Sequence, residues 1–211
     1  MVYYAHFQNR GKITTMRIIL ASKSPRRKEI LETLGVQFEI ITADADESSD
    51  IKNPELLVRT LAERKGRAVL DMLGDAAEDC LVIACDTLVY ANGEFLGKPR
   101  DNKDAERMLR MLSGSDHVVV SGIYAARGNR EISEAEVTRV FFDKMSEDDI
   151  QSYIDSGEPS DKAGAYAIQG KASAFIRKID GDYFNVVGLP VNLLCRTLKS
   201  KLGIDLMKTN H

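Results

Sequence analysis

Residues 80–90 read Cys-Leu-Val-Ile-Ala-Cys-Asp-Thr-Leu-Val-Tyr. The run is strongly apolar and β-branched, the pattern of a buried strand. A strand of this kind needs cover from other elements, which points to layered α/β packing. One residue does not belong to it. Burying the carboxylate of Asp86 without partners costs several kcal/mol, so a cation, a metal or a set of donors must meet it. A structural ion pair is the plain reading. A rigid platform for a metal or a general base is the other, and the run alone leaves both open.

Around this strand the chain alternates. Arg17 to Ala21 reads as a short strand. Pro25 to Leu34 reads as a helix, with Ser24 as N-cap, Pro25 at the first helical position and Gly35 as its stop. Phe38 to Ile41 is a strand, and Asp44 to Asp50 an acidic loop. Asn53-Pro54 opens a long helix that runs to Leu73 or Gly74. After the central strand, Asn92-Gly93 signals a hairpin. Asp101 to Leu112 reads as a helix. His117 to Ala126 and Glu134 to Phe142 are long strands joined around Gly128-Asn129. Ser146 to Ile154 is a helix with a capping box from Ser146 and Asp149. Ala174 to Ile179 is a strand, and Pro190 to Leu202 a closing helix. The sum is mixed α/β with several hairpins.

The 211 residues contain no internal repeat and no long linker, so one compact domain over residues 16–205 is expected. Residues 1–15 lack the apolar core of a secretory signal and read as an extension, with a second start plausible at Met16; residues 206–211 read as a tail. No apolar run approaches the ~20 residues of a membrane span. Lys plus Arg number 29 against 32 Asp plus Glu, a net charge of −3, which argues against a nucleic-acid polymer as partner. Cys80, Cys85 and Cys195 are too few and too scattered for a disulfide framework or a four-cysteine zinc site. A reducing cytoplasm suits them.

Three further places put charge where structure alone would not want it. In Ser22-Lys23-Ser24-Pro25-Arg26-Arg27-Lys28, cations occupy the first turn of a helix, whose positive dipole end favours acids. Free amides, two guanidiniums and two hydroxyls make a phosphate site; a solvated basic face is the bland alternative. Lys65 falls within the apolar stripe Val58, Leu61, Ala62, Val69 and Met72. It either snorkels outward or reaches into a cleft to meet an anion. Gly97-Lys98-Pro99 is a weak turn signal with one lysine, its spacing unlike that of a Walker A loop. Two polar islands follow. Residues 158–170 are rich in small residues that let a ligand near the backbone. Within them, Gln169 offers a donor and acceptor pair suited to a base edge. Residues 181–190 read as a loop feeding the last helix.

Together, Leu20-Ala-Ser22-Lys-Ser-Pro-Arg26-Arg27, Leu61-Ala62 with Lys65, Ala84-Cys-Asp86-Thr87, Gly97-Lys98-Pro99, Lys162-Ala-Gly-Ala-Tyr-Ala-Ile-Gln169-Gly170 and Asn185-Val-Val-Gly188-Leu-Pro190 resemble the Maf family of nucleoside triphosphate pyrophosphatases over Met16 to Gly203. The resemblance implies an elongated mixed β-sheet flanked by helices, Ham1-like and ITPase-like, with two lobes around a central cleft. It implies hydrolysis of a nucleoside triphosphate between the α- and β-phosphates with a divalent cation, Mg²⁺ or Mn²⁺. A homodimer is admissible, since the family is often dimeric. Asp86 matches the family's catalytic proton acceptor. Arg26, Thr87 and Gln169 match positions tied to substrate choice, and resemble the branch acting on dTTP and UTP rather than on 7-methyl-GTP. Two departures stand out: Ala84-Cys85 precedes Asp86 where Gly-Ala is frequent, with scope for Cys85 to alter packing under the metal, and Gly66 follows Lys65 where Ala is common.

The residues suit that chemistry. Ser22, Arg26, Arg27, Lys65 and Lys98 supply donors for phosphate oxygens, with Lys65 and Lys98 closest to the chemistry. Asp86 and Glu47 supply carboxylates for a metal, and Asp86 also for the attacking water. Whether Asp86 is ligand, base or both stays open. A nucleotide-binding regulator of cell division without turnover would need the cationic pocket but not the facing carboxylate. A nucleotidyltransferase would need an acceptor pocket that nothing in the sequence marks.

Overall fold

The computed structural model describes residues 16–208, so the expected extension, residues 1–15, lies outside them. The elements in chain order are β1 (Arg17–Leu20), α1 (Pro25–Thr33), β2 (Glu39–Ile40), α2 (Pro54–Leu73), β3 (Cys80–Ala91), β4 (Glu94–Leu96), α3 (Asn102–Leu112), β5 (Asp116–Arg127), β6 (Arg130–Phe142), α4 (Glu147–Asp155), β7 (Ile176–Asp180), α5 (Tyr183–Val187) and α6 (Val191–Thr197), which runs on into a π-turn over Leu198–Leu202. The strands form one mixed sheet in the order β2-β1-β3-β5-β6-β7, with β4 also paired to β3. β1 lies parallel to β2 and β3; the remaining pairs are antiparallel.

The local signals act as their chemistry dictates. Asn53 accepts from the Leu56 amide and caps α2, and Ser146 and Asp149 form the reciprocal capping box of α4. Asn92 and Gly93 both take positive φ, as a two-residue hairpin between β3 and β4 requires. Four expectations shift. β6 begins at Arg130 rather than Glu134, because pairing continues to the Arg127–Arg130 step; of the added residues only Ile132 is apolar and buried, and one apolar residue among Arg130, Glu131 and Ser133 is too little pattern to announce a strand. Met72 is 56% exposed, and Leu57 joins the buried stripe of α2 in its stead. Residues 183–187, read as loop, form a short helix capped by Asp182, which accepts from the Phe184 and Asn185 amides. At the C-terminus packing runs past Asp205, since Leu206 is buried in the core.

The core is divided, and β3 shows where. Successive side chains on a strand point to opposite faces. On one face, Leu81, Ile83 and Cys85 join a cluster with α1 and α6, while Val89 and Ala91 join another with α3 and α4. On the other face, Cys80, Val82 and Ala84 join one cluster beneath α2, and Leu88 a second. Asp86 and Thr87 stand between the clusters on their respective faces. β5 repeats the division: Ser121 pairs with Thr87 and Gly122 with Asp86. A polar seam therefore crosses the middle of the sheet, with apolar lobes on either side. At Gly122 any Cβ would collide with the Val58 carbonyl, so α2 lies hard against the seam. No helix among the described residues is long and apolar enough to cross a membrane.

Candidate active site

The seam opens into a cleft of about 1020 Å³, lined by Ser22, Arg26, Arg27, Glu47, Lys65, Asp86, Thr87, Lys98 and Gln169. All the residues singled out from sequence thus meet in one place. They do not meet in the same way.

Ser24 is the N-cap of α1, but its side chain caps nothing, and no acid sits in the first turn. The Ser24 amide donates to Ser22 Oγ at 3.2 Å. The positive end of α1 is left facing the cleft without an internal anion. Arg27 turns inward. Its Nε donates to the Gly188 carbonyl at 2.8 Å, Nη1 to Ser22 Oγ at 3.1 Å and Nη2 to Thr87 Oγ1 at 3.1 Å. Thr87 Oγ1 is also 2.8 Å from Ser121 Oγ and 3.2 Å from the Gly188 carbonyl. Arg27 and Thr87, both expected to bind substrate, thus line the cleft while tying α1, β3, β5 and the end of α5 together. Among the described residues Arg26 has one weak partner, Asp161 at 3.9 Å.

Lys65 does not snorkel. Its ammonium lies 2.5 Å from Asp86 Oδ1 and 2.9 Å from Glu47 Oε1. Burial pulls its pKa down, yet the two carboxylates outweigh burial and hold it above the ordinary lysine value. It stays an ammonium at every physiological pH. The loop carrying Glu47 is held by Arg64, whose Nη1 donates to the Asp46 and Ser48 carbonyls at 3.0 and 2.7 Å. Cys85 is not beneath this cluster as expected. Strand alternation turns it to the opposite face, where its thiol donates to the Gly188 carbonyl at 3.3 Å.

On the far rim, the Gly164 amide donates to the Gly97 carbonyl at 3.0 Å, joining the Lys98 turn to residues 163–165. Lys98 and the Gln169 amide make no bond to any described residue, so both are available to a ligand. Lys162 also lines the cleft and pairs with Asp161, whose carboxyl that contact holds below the usual range. No role was foreseen for Lys162. A lysine ahead of a run of small residues, with no apolar stripe to cover, was the signal available.

The donor set can be tested against a divalent metal. Among the described residues no group of three or more His, Cys, Asp or Glu could hold one. Glu47 and Asp86 do converge on a single cation, the Lys65 ammonium. Two hard carboxylates suit Mg²⁺ or Mn²⁺, which take their remaining ligands from water and substrate phosphates. The residues fit.

A carboxylate pair sharing a cleft with the weakly held Arg26 and with Lys98, unpaired among the described residues, in a mixed α/β sheet, defines a protein suited to take a polyphosphate. Comparison with known families makes this specific. The Maf-like protein family matches residues 17–201, and the chain belongs to the Maf family. It is 45% identical over 191 residues to the dTTP/UTP pyrophosphatase of Caldanaerobacter subterraneus, covering 90% of this chain and 91% of that protein. It is 47% identical over 186 residues to that of Bacillus velezensis, covering 88% and 96%. Against that of Pelotomaculum thermopropionicum it is 47% identical over 194 residues, covering 90% and 98%. The Staphylococcus aureus Ham1 protein overlaps partially, with a TM-score of 0.44 and 16% identity over 60% of this chain and 71% of that one.

Proposed function

We propose that this chain hydrolyses dTTP and UTP between the α- and β-phosphates, releasing the nucleoside monophosphate and pyrophosphate. The relatives carry that activity in their names. The observation that carries the reading here is Asp86, 14% exposed, which lines the same cleft as Lys98 and Gln169, two side chains that bond no described residue. The reaction needs little covalent work from the protein, mostly positioning and charge neutralisation. Arg26, Lys98 and Lys162 draw in the polyphosphate, assisted by the uncapped end of α1. Lys65 holds one oxygen of Asp86 and leaves the other to orient a water and take its proton. That water attacks the α-phosphorus, and the bond to the bridging oxygen breaks as pyrophosphate leaves. Glu47 and Asp86 would hold a divalent cation, which neutralises charge on the phosphates when bound. Gln169 reads the base edge. Arg27 and Thr87 fix the wall rather than touch the phosphates. All three cysteines are unpaired, which fits a cytoplasmic enzyme.

The test is product analysis with Mg²⁺ across dTTP, UTP, CTP, GTP and 7-methyl-GTP, for the wild type and Asp86→Asn. Monophosphate and pyrophosphate should form from dTTP and UTP. The variant should keep its fold and bind nucleotide while losing about 10³-fold in turnover. Binding without cleavage by the wild type would instead mark a nucleotide-responsive regulator.

A further inference from the structure

The rim that carries Gln169 is fixed by two side chains outside the cleft. Tyr153, on α4, is 3% exposed. Its hydroxyl donates to Glu158 Oε1 at 2.8 Å and accepts from the Ala167 amide at 3.2 Å. The other carboxylate oxygen, Glu158 Oε2, accepts from the Lys171 amide at 3.0 Å. The Ala167 and Lys171 amides bound the turn on which Gln169 sits, and the Gly170 amide closes that turn onto the Ala167 carbonyl at 3.1 Å. One hydrogen-bonded pair therefore holds both ends. The fit is close: a Cβ at Gly170 would collide with the Glu158 carboxylate, so only glycine lets that carboxylate lie against the turn. Among the described residues Glu158 pairs with no cation, and its charge is spent on neutral donors.

An amide carries both a donor and an acceptor. On a mobile loop it can shift to satisfy either a uracil edge, which offers an acceptor at O4, or a cytosine edge, which offers a donor there. Discrimination arises only when the wrong base leaves a polar group unpaired, and that requires a reader that cannot follow the base. We propose that Glu158 and Tyr153 are positioning residues that hold the Gln169 turn rigid and thereby set the preference for uracil and thymine over cytosine. The proposal rests on the reading of Gln169 as the base-contacting group.

The experiment compares kcat/KM for UTP and CTP in the wild type, Gln169→Ala, Glu158→Ala, Glu158→Gln, Tyr153→Phe and the Glu158→Ala/Gln169→Ala double variant. Glu158→Ala should lower the UTP/CTP ratio about tenfold, with Tyr153→Phe following at a smaller loss. Glu158→Gln should recover part of the ratio, since its carbonyl still accepts from Lys171 and its amide can donate to Tyr153. The double variant should discriminate no worse than Gln169→Ala alone, because the clamp acts only through Gln169. In the nucleotide-free protein, hydrogen exchange at the Lys171 amide should quicken in Glu158→Ala while β3 and β5 stay protected. Should Glu158→Ala fold poorly, Glu158→Gln and Tyr153→Phe carry the same comparison. If Gln169→Ala lowers the ratio and the clamp variants do not, or if the effects multiply in the double variant, the clamp is overturned. If Gln169→Ala keeps the wild-type ratio, the base-reading assignment falls first and the clamp falls with it.

Discussion

Arg26 and Arg27 are adjacent in one helical turn, yet they belong to different regions. Arg27 enters the wall formed by Ser22, Thr87, Ser121 and Gly188, where three of its N–H groups meet protein acceptors. Arg26 faces the rim of Lys98, Lys162 and Gln169, where its one partner among the described residues is a distant, exposed carboxylate. The wall's donors are committed before any ligand arrives; on the rim Lys162 is paired with Asp161, but Arg26 is held only weakly and Lys98 and Gln169 bond no described residue. Committed donors fix shape, whereas uncommitted ones bring a desolvation cost that a polyphosphate can offset. A list of cleft-lining residues would treat the two alike.

The sharpest way to break this comparison is to truncate each arginine. Arg27→Ala removes three hydrogen bonds from a charged donor and should cost about 3 kcal/mol of stability. Arg26→Ala should leave stability within about 0.5 kcal/mol and raise KM for dTTP about tenfold. Urea melts and steady-state kinetics on both variants decide the matter. An Arg27→Ala protein as stable as the wild type, with a raised KM, would make Arg27 a direct ligand and erase the distinction.

The rim has a buried support of its own, and pH addresses it. His117 is buried against Phe142 and Tyr166, with Nε2 2.8 Å from the Tyr166 hydroxyl. Burial pushes its pKa down to about 4, against an opposing pull from Asp116. A histidine whose folded pKa lies below its unfolded value of about 6.5 binds fewer protons when folded. Stability is then complete above pH 6.5 and falls as the pH drops towards 4, by about 2 kcal/mol at pH 5. Urea midpoints at pH 7 and pH 5 should show this loss, and His117→Gln should show much less of it. An equal fall in the variant would assign the acid sensitivity to other groups.

Much of this was legible in the sequence because it depends on short-range rules. Capping residues, the Asn92-Gly93 hairpin and the β3 pattern declared the elements, and Asp86 declared itself by sitting where a carboxylate should not. What the sequence hid was long-range. Nothing local distinguishes Arg26 from Arg27, because the difference lies in the Gly188 carbonyl 161 residues downstream. Asn185 reads as a loop residue, yet it is fully buried and donates to the Val119 carbonyl and to Thr138 Oγ1, both at 3.0 Å. α5 was missed because five residues carry too little periodicity to register.

The smallest effect concerns how closely α2 approaches the seam. Gly66 follows Lys65, and a Cβ there would overlap the ring of Tyr124 on β5, itself 1% exposed. Alanine in a helix interior ordinarily gains up to about 1 kcal/mol over glycine. Overpacking a rigid aromatic costs about 1–3 kcal/mol, so the net change should be a loss of about 1 kcal/mol. Tyr124→Phe should not relieve it, since the overlap falls on ring carbons, whereas Tyr124→Leu should leave Gly66→Ala neutral or favourable. Because Lys65 is the next residue, any shift of α2 in Gly66→Ala also moves the ammonium that holds Asp86. Turnover should therefore fall more than stability does, while KM, set by the rim, stays near its wild-type value. A Gly66→Ala enzyme that loses affinity but keeps turnover would show that α2 positions the rim rather than the seam.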